Sequence, residues 1–194
     1  MRRTTIGVLG VLALAAAGCD DSGAPARKVT AADIVPLPPG TAVGSLYAGD
    51  YVTIRGRIAA CNCRSGGCGT LRFLPGVVIS VAQTDGTLAM TNVTSPVTYT
   101  GAVDGDGRFR LNGSIVEVGH VEFLLMDGQF VVSNGTPTAM TFTQEGSIVN
   151  TPYDCDVRLT ASAQYLGPSA IVLEQGQGQR ESGWTAGLLG VTGP

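Results

Sequence analysis

Apolar and polar residues alternate along most of the chain from residue 47 onward, and this period of two constrains the fold more than any other feature. In the stretch "RFRLNGSIVEV", the residues Phe109, Leu111 and Ile115 share one face. Such alternation is typical of a β-strand with one buried side. In "YVTIRGRIAAC" the same rule predicts that Val52, Ile54, Ile58 and Ala60 face the core, with Tyr51, Thr53, Arg55 and Arg57 opposite.

Tight-turn dipeptides separate these alternating runs. Asp85-Gly86, Asp127-Gly128, Asn134-Gly135 and the "DGDG" stretch at residues 104 to 107 are hairpin signals, and Pro75-Gly76 is a break. We expect roughly eight to ten short strands in a meander. An open sheet would expose two edges and an apolar face. The fold class is therefore all-β, an antiparallel meander closed into a barrel or folded as a sandwich, over residues 47–166.

The N-terminus predicts export. Arg2 and Arg3 precede an apolar run from Ile6 to Ala17, which is shorter than the roughly 20 residues that a membrane-spanning helix needs. Residues 1–18 therefore form a signal peptide. The run ends in Ala16-Ala17-Gly18-Cys19, which resembles the lipobox of bacterial lipoproteins. The resemblance implies cleavage before Cys19, attachment of fatty acyl chains to this cysteine, and a protein held on the periplasmic or surface face of a bacterial membrane.

Two segments outside the alternating region have a different composition. Residues 19–46 are rich in proline, alanine and glycine, which predicts a flexible tether, with one helical turn capped by Thr30. Residues 167–194 are rich in glycine and glutamine and predict a mobile end. Trp184 and the neighbouring "GLLGV" could instead dock on the domain or on a partner.

Five cysteines are present, and lipidation of Cys19 would leave Cys61, Cys63, Cys68 and Cys155. An even number in an exported protein predicts two disulfides. Of the three connectivities we expect Cys63–Cys68 and Cys61–Cys155. A metal site made of four thiolates is the alternative, but the spacing lacks the paired Cys-x2-Cys knuckles of common zinc modules.

Charge and motifs argue against several functions. Without Arg2 and Arg3, 15 acidic residues stand against ten basic ones, so no nucleic-acid partner is expected. The single histidine, His120, is expected at a surface or strand edge, and no Gly-x-Ser-x-Gly nucleophile elbow is present. Asp104 and Asp106 suit a hairpin turn better than a calcium site. We expect Asp154 and Asp156 to be solvated neighbours of a disulfide.

Six arginines form two sequence groups, Arg55, Arg57, Arg64 and Arg72 in one and Arg108 and Arg110 in the other. They could face anionic lipid or glycan, or simply form a polar strand face.

The passage "YTGAVDGDGRFRLNGSI" with "LLMDGQFVV" resembles the Gly-turn-Phe meanders of lipocalin-like envelope β-proteins. The sequence therefore predicts a membrane-anchored envelope lipoprotein with a non-catalytic binding or structural domain, whose partner is an envelope protein or a glycan. A lipocalin-like carrier of an apolar ligand is the alternative that this resemblance implies, and an uncharacterised hydrolase is a third. No catalytic residue, metal or cofactor is assigned.

Overall fold

A computed structural model describes residues 25–65, 67–93, 98–150, 153–169 and 189–191. The predicted signal peptide (1–18), the predicted lipidation site Cys19 and Trp184 lie outside these ranges, and what the sequence indicates about them stays a prediction. Among the described residues, no helix has the length and apolar character required to cross a bilayer.

Ten strands and two short 3-10 helices, Ala31–Asp33 and Cys68–Thr70, make up the secondary structure of the described chain. The strands are β1 (Gly49–Ser65), β2 (Leu71–Phe73), β3 (Val78–Thr84), β4 (Thr87–Asn92), β5 (Thr98–Val103), β6 (Arg108–Glu117), β7 (His120–Ser133), β8 (Thr136–Asn150), β9 (Tyr153–Gly167) and β10 (Leu189–Val191). Eight of them close into a barrel in the order β1-β3-β4-β5-β6-β7-β8-β9. The predicted antiparallel meander is confirmed, and it is a barrel rather than a sandwich.

Asp127-Gly128 is not a turn, although the dipeptide predicts one. β7 runs through it without interruption, with Asp127 opposite Thr143 and Gly128 opposite Phe142. A Cβ atom at Gly128 would lie 2.4 Å from Cζ of Phe109, so the glycine makes room for the ring of its cross-strand partner on β6. The other predicted hairpins form, and Asn134 and Gly135 both have positive φ, of 51° and 75°.

The predicted inner face of β1 is wrong at its start. Tyr51 and Thr53 are 0% and 1% exposed, whereas Ile54 is 45% exposed. Register shifts between Thr53 and Arg55 and again after Ile58 change which residues point inward. A β-bulge adds one residue to one strand of a pair, so strict alternation fails across it.

Side chains fill the barrel. The largest apolar ones, each at most 2% exposed, are Tyr51, Leu88, Met90, Leu111, Leu124, Met126, Met140 and Leu159. Large residues face small ones, as at Gly146, where an added Cβ would lie 2.6 Å from Cδ2 of Leu124. This alternation of large and small inward residues is how small barrels reach close packing.

Both ends of the barrel are covered. At the Tyr end, where β1 begins, Tyr47 stacks on Phe130 with ring centroids 4.6 Å apart. Residues 67–77 fold back along β1, where the Thr53 N–H donates to the carbonyl of Val77 at 2.9 Å, and they pack Leu71 and Phe73 against the core. The opposite end of the barrel, where β1 ends at Ser65, is named the Cys end. At the Cys end, Glu122 lies in the same cross-strand row as Cys155 and Cys63 and is 0% exposed. Among the described residues, the interior is therefore filled.

Residues 25–46 are not a free tether. This segment, named the strap below, lies along the outside of the barrel with Val29 only 1% exposed. The Val29 N–H donates to Oγ of Ser147 at 2.7 Å, and the Ala42 N–H donates to the carbonyl of Val103 at 3.2 Å. The expectation was wrong because Pro/Gly composition reports local flexibility and not the buried apolar residues that hold a segment down. The predicted turn at Thr30 is confirmed, with its N–H and hydroxyl donating to Asp33 at 2.8 and 2.9 Å.

The C-terminal segment docks in part. β10 pairs antiparallel with β2, with Leu189 opposite Phe73 and Val191 opposite Leu71. Of the two expectations for "GLLGV", docking on the domain is therefore the one that the structure shows for residues 189–191.

Candidate functional site

A groove of about 830 Å3 lies on the outer surface between the strap and strands β5 to β9. Its lining combines strap residues Leu37, Pro38, Pro39 and Gly40 with sheet residues that include Asp104, Arg108, Arg110, Asp127, Gln129, Thr141, Thr143 and Thr160. This volume lies within the range of small-molecule sites. This groove lies on the outside of the barrel.

Cross-strand register builds the groove floor. Arg110, Asp127, Thr143 and Thr160 are successive partners across β6, β7, β8 and β9. The neighbouring row contains Arg108, Gln129 and Thr141. Directly opposite residues in such rows have Cβ atoms about 5 Å apart, so hydroxyl, amide and charged groups form a continuous polar surface.

The charges in the groove are balanced. Nε of Arg110 donates to Oδ1 of Asp127 at 2.8 Å, and this hydrogen bond raises the pKa of Arg110. Arg108 lies 3.5 Å from Asp106. The side chains of Arg110 and Asp127 are 72% and 62% exposed, so both keep unused hydrogen-bonding capacity toward solvent.

The strap forms the apolar wall of the groove and is held in place at both ends. The side-chain amide of Asn112 donates to the carbonyl of Val35 at 2.6 Å. The Gly40 N–H donates to the carbonyl of Gly86 at 2.9 Å. At Gly40 a Cβ would lie 2.2 Å from the carbonyl oxygen of Val103, so this close backbone approach requires glycine.

The arginines expected near the first strands do not form one patch. Arg57 is the cross-strand partner of Thr160 and therefore extends the Arg110 row onto β1. Arg64 instead binds carboxylates at the Cys end, and Arg72 donates to the carbonyl of Leu71 at 2.8 Å.

A buried acidic side chain lies inside the Cys end. Among the residues that the structure describes, no hydrogen-bond partner is found for either carboxylate oxygen of Glu122, for the Tyr99 hydroxyl or for Oε1 of Gln144. Nε2 of His120 is 3.5 Å from Glu122, a contact too long for a well-formed hydrogen bond. Burial raises the pKa of Glu122, and the Glu122 carboxylate raises the pKa of His120. His120 begins a strand edge as expected, but its side chain is only 16% exposed.

The four cysteines form two disulfides in a connectivity different from the expected one. The bridges are Cys61–Cys68 and Cys63–Cys155. Cys63 and Cys155 are direct cross-strand partners of β1 and β9, which places their side chains together. The expected pairing was wrong because it joined Cys63 to Cys68, which closes a short loop in sequence. The register of β1 and β9 instead places Cys155 directly opposite Cys63. Within the described ranges, the cluster with metal-ligand spacing is Cys61, Cys63 and Cys68, and all three are in these bridges.

An ion-pair cluster adjoins the disulfides. Arg64 donates to Asp154 through Nε at 2.9 Å and to Asp156 through Nη1 at 2.8 Å. Both contacts help to lower the pKa of the two carboxyl groups. Asp156 also accepts from the Ser147 hydroxyl at 2.6 Å and is 2% exposed. The expectation of a solvated residue was therefore wrong for Asp156.

The "DGDG" stretch is a turn that also binds the strap. Oδ1 of Asp104 accepts from the N–H of Thr41 at 3.0 Å and from its hydroxyl at 3.1 Å. The Gly107 N–H donates to the carbonyl of Asp104 at 2.9 Å. A carboxylate oxygen used in this way supports the hairpin interpretation of Asp104.

Sequence reasoning missed the threonine rows and Glu122. Thr141, Thr143 and Thr160 occupy alternate positions of two strands, a signal that was visible, but which residues oppose one another depends on register. Glu122 lies two residues after the lone histidine, in the first half of β7, where the remaining residues up to Met126 are apolar. A period of two places both residues on one face, which could have predicted the pair.

Comparison of the chain with protein-family models, with curated proteins and with solved structures finds no match.

Proposed function

We propose that this chain is a lipid-anchored protein of a bacterial envelope whose barrel is a non-catalytic binding module, and that it binds a neutral, hydroxyl-rich ligand such as a glycan segment in its outer groove. The observation that carries the binding mode is the contrast between an interior filled by buried side chains and an open groove on the outside. The anchor rests on the lipobox-like sequence ending at Cys19.

The packing of the barrel interior supports ligand binding on the outer surface over carriage of a ligand inside the barrel. A carrier needs an opening through which its ligand enters and room to hold it. Here Tyr47 stacks over Phe130 at the Tyr end, and Glu122 is fully buried at the Cys end. Leu88, Leu111 and many like them are fully buried between these ends.

The groove chemistry supports an uncharged polar ligand. Threonine hydroxyls, the Gln129 amide and the Arg110–Asp127 pair offer donors and acceptors side by side. Since the charges cancel locally, the groove gives no excess attraction to a polyanion. Leu37 and the two prolines after it provide a small apolar wall for a sugar face.

Titration of the full chain with neutral tetrasaccharides, with binding followed by isothermal calorimetry or amide chemical shifts, tests this proposal. Thr143→Arg should block the groove floor and abolish binding. Thr84→Arg is the matched control, because Thr84 is exposed on β3 and is not among the residues that line the groove, and it should bind like the unaltered chain. Equal binding by both variants, or stronger binding of sulfated than of neutral sugars, would contradict the proposed ligand class.

Separate measurements test the anchor and the competing functions. Palmitate labelling that is lost in Cys19→Ala is expected for the lipoprotein. Native mass spectrometry should find no co-purified apolar molecule, and a stoichiometric lipid would favour the carrier instead. Turnover of any of a panel of ester, glycoside or phosphate substrates would refute the assignment of a non-catalytic domain.

A further inference from the structure

We propose that the cysteine cluster at the Cys end is a thiol–disulfide exchange site, in which reduction of one bridge is passed on to the other. Sγ of Cys63 lies 3.4 Å from Sγ of Cys68 and 3.6 Å from Sγ of Cys61. The two bridges are therefore in contact through Cys63. This proposal is independent of the ligand of the outer groove.

The arrangement of sulfurs suits an attack on Cys63. Cys61, Cys63 and Cys68 lie within 4.8 Å of one another, and Cys155 is not a member of that group. Cys63 is therefore the sulfur of its bridge that lies within contact distance of both Cys61 and Cys68. Exchange proceeds when a thiolate attacks one sulfur of a disulfide and the other sulfur leaves. Cys63 is the sulfur within reach, and Cys155 is the leaving group.

The chemistry requires an external dithiol and is balanced in two steps. The dithiol first reduces Cys61–Cys68, becomes a disulfide itself, and leaves two protein thiols. The Cys68 thiolate then attacks Cys63, a Cys63–Cys68 bond forms, and the Cys63–Cys155 bond breaks. Cys155 departs as a thiolate and takes up the proton that Cys68 had lost, so the second step has no net oxidation or reduction.

Cys68 is a better attacking group than Cys61. Cys61 and Cys63 are two residues apart on the same strand, and that strand is paired with β9 along its length. Cys68 begins a short 3-10 helix outside the barrel strands. Movement of Cys68 over the short remaining distance does not require the β1–β9 ladder to open.

The barrel can persist after exchange because the end of the β1–β9 seam has a second link. Arg64 contacts Asp154 and Asp156 across it, at 2.9 and 2.8 Å. Exchange therefore transfers the covalent bond from the barrel seam to the loop after β1, while the ion pairs continue to hold the seam. The pairing of Cys63, with Cys155 or with Cys68, therefore decides whether a disulfide constrains the β1–β9 seam or the loop after β1.

Mapping of free thiols tests the proposal in the full chain with Cys19→Ala, so that the four clustered cysteines are the only ones. Cys61→Ser leaves Cys68 as the starting thiol. After acid quenching and alkylation in denaturant, peptide mass spectrometry should find the label shifted from Cys68 to Cys155 in a substantial share of molecules. Cys68→Ser is the matched control, and its label should stay on Cys61.

The unaltered bridges provide a second arm that does not depend on a variant folding. Limiting dithiothreitol should produce a species that retains one disulfide, Cys63–Cys68. A label confined to Cys68 in the first arm, with Cys63–Cys155 as the only surviving bridge in the second, would overturn the proposal. Appearance of Cys63–Cys68 only after denaturation in guanidinium chloride would overturn it as well, since random scrambling would then explain the product.

Discussion

Removal of the Cys63–Cys155 bridge should destabilise the protein about twice as much as removal of the Cys61–Cys68 bridge. The two bridges join residues that are 92 and seven positions apart in sequence. In the loop-closure model, the entropy that a cross-link removes from the unfolded chain grows with the logarithm of loop length. This gives about 4.6 kcal/mol for the long bridge and about 2.4 kcal/mol for the short one at 25 °C.

The comparison uses two double variants, Cys63→Ser with Cys155→Ser and Cys61→Ser with Cys68→Ser, each in a Cys19→Ala background. Equilibrium unfolding in urea without reductant, followed by far-ultraviolet circular dichroism, gives the free energy of unfolding of each. The long-bridge variant should lose about 2 kcal/mol more than the short-bridge variant. Both variants remove two buried or half-buried sulfurs, so their packing losses largely cancel in the difference.

Equal losses, or a larger loss for the short bridge, would refute the reasoning. Either result would mean that native contacts of the residues 67–77 segment, and not the entropy of the unfolded chain, set the contribution of these bridges. A variant lacking all four cysteines separates these explanations, because its loss should approach the sum of the two if the bridges act independently.

Three further perturbations test the core, the strap and the interior charge. The fold raises the pKa of Glu122 above its usual 4.5, so burial favours the protonated side chain. The contribution of Glu122 to the free energy of unfolding is therefore full below pH 4.5 and is lost as the pH rises through the folded pKa. Glu122→Gln should therefore stabilise the barrel by about 1–3 kcal/mol at pH 8 and have little effect near pH 4, as measured by urea unfolding; a pH-independent effect would count against a buried charge. Ser147→Ala removes both the acceptor of the Val29 N–H and the hydroxyl that donates to Asp156, and the loss of two hydrogen bonds should cost about 2–4 kcal/mol. Hydrogen exchange at the Val29 amide should become faster, and unchanged exchange would show that the strap is held by other contacts. Gly128→Ala forces a methyl group to within 2.4 Å of Phe109 and should lower the free energy of unfolding by about 1–3 kcal/mol, whereas Gly67→Ala, with nothing within 4 Å of the added carbon, should have almost no effect.

Much of the candidate site depends on facts that are not local in sequence. The turns at Asp85-Gly86 and Asn134-Gly135 were predictable, because positive φ and glycine preference are properties of two adjacent residues. Asp127-Gly128 has the same chemistry but lies within a strand, since the ring of Phe109 needs the space. Glycine is favoured both in a tight turn and where a neighbouring ring leaves no room for a side chain. Only the residue across the sheet shows which of the two reasons applies.

The period of two and the spacing of turns were sufficient to determine an antiparallel β-meander, because each is a property of a few consecutive residues. The cost of open edges and an exposed apolar face predicted either a barrel or a sandwich, and the tertiary structure decided for the barrel. The tertiary structure alone decided the disulfide partners, the inward face of β1, the docking of the strap and the rows of the outer groove. These features all depend on register, and a single bulge near Thr53 reverses the facing of every residue up to the next register shift.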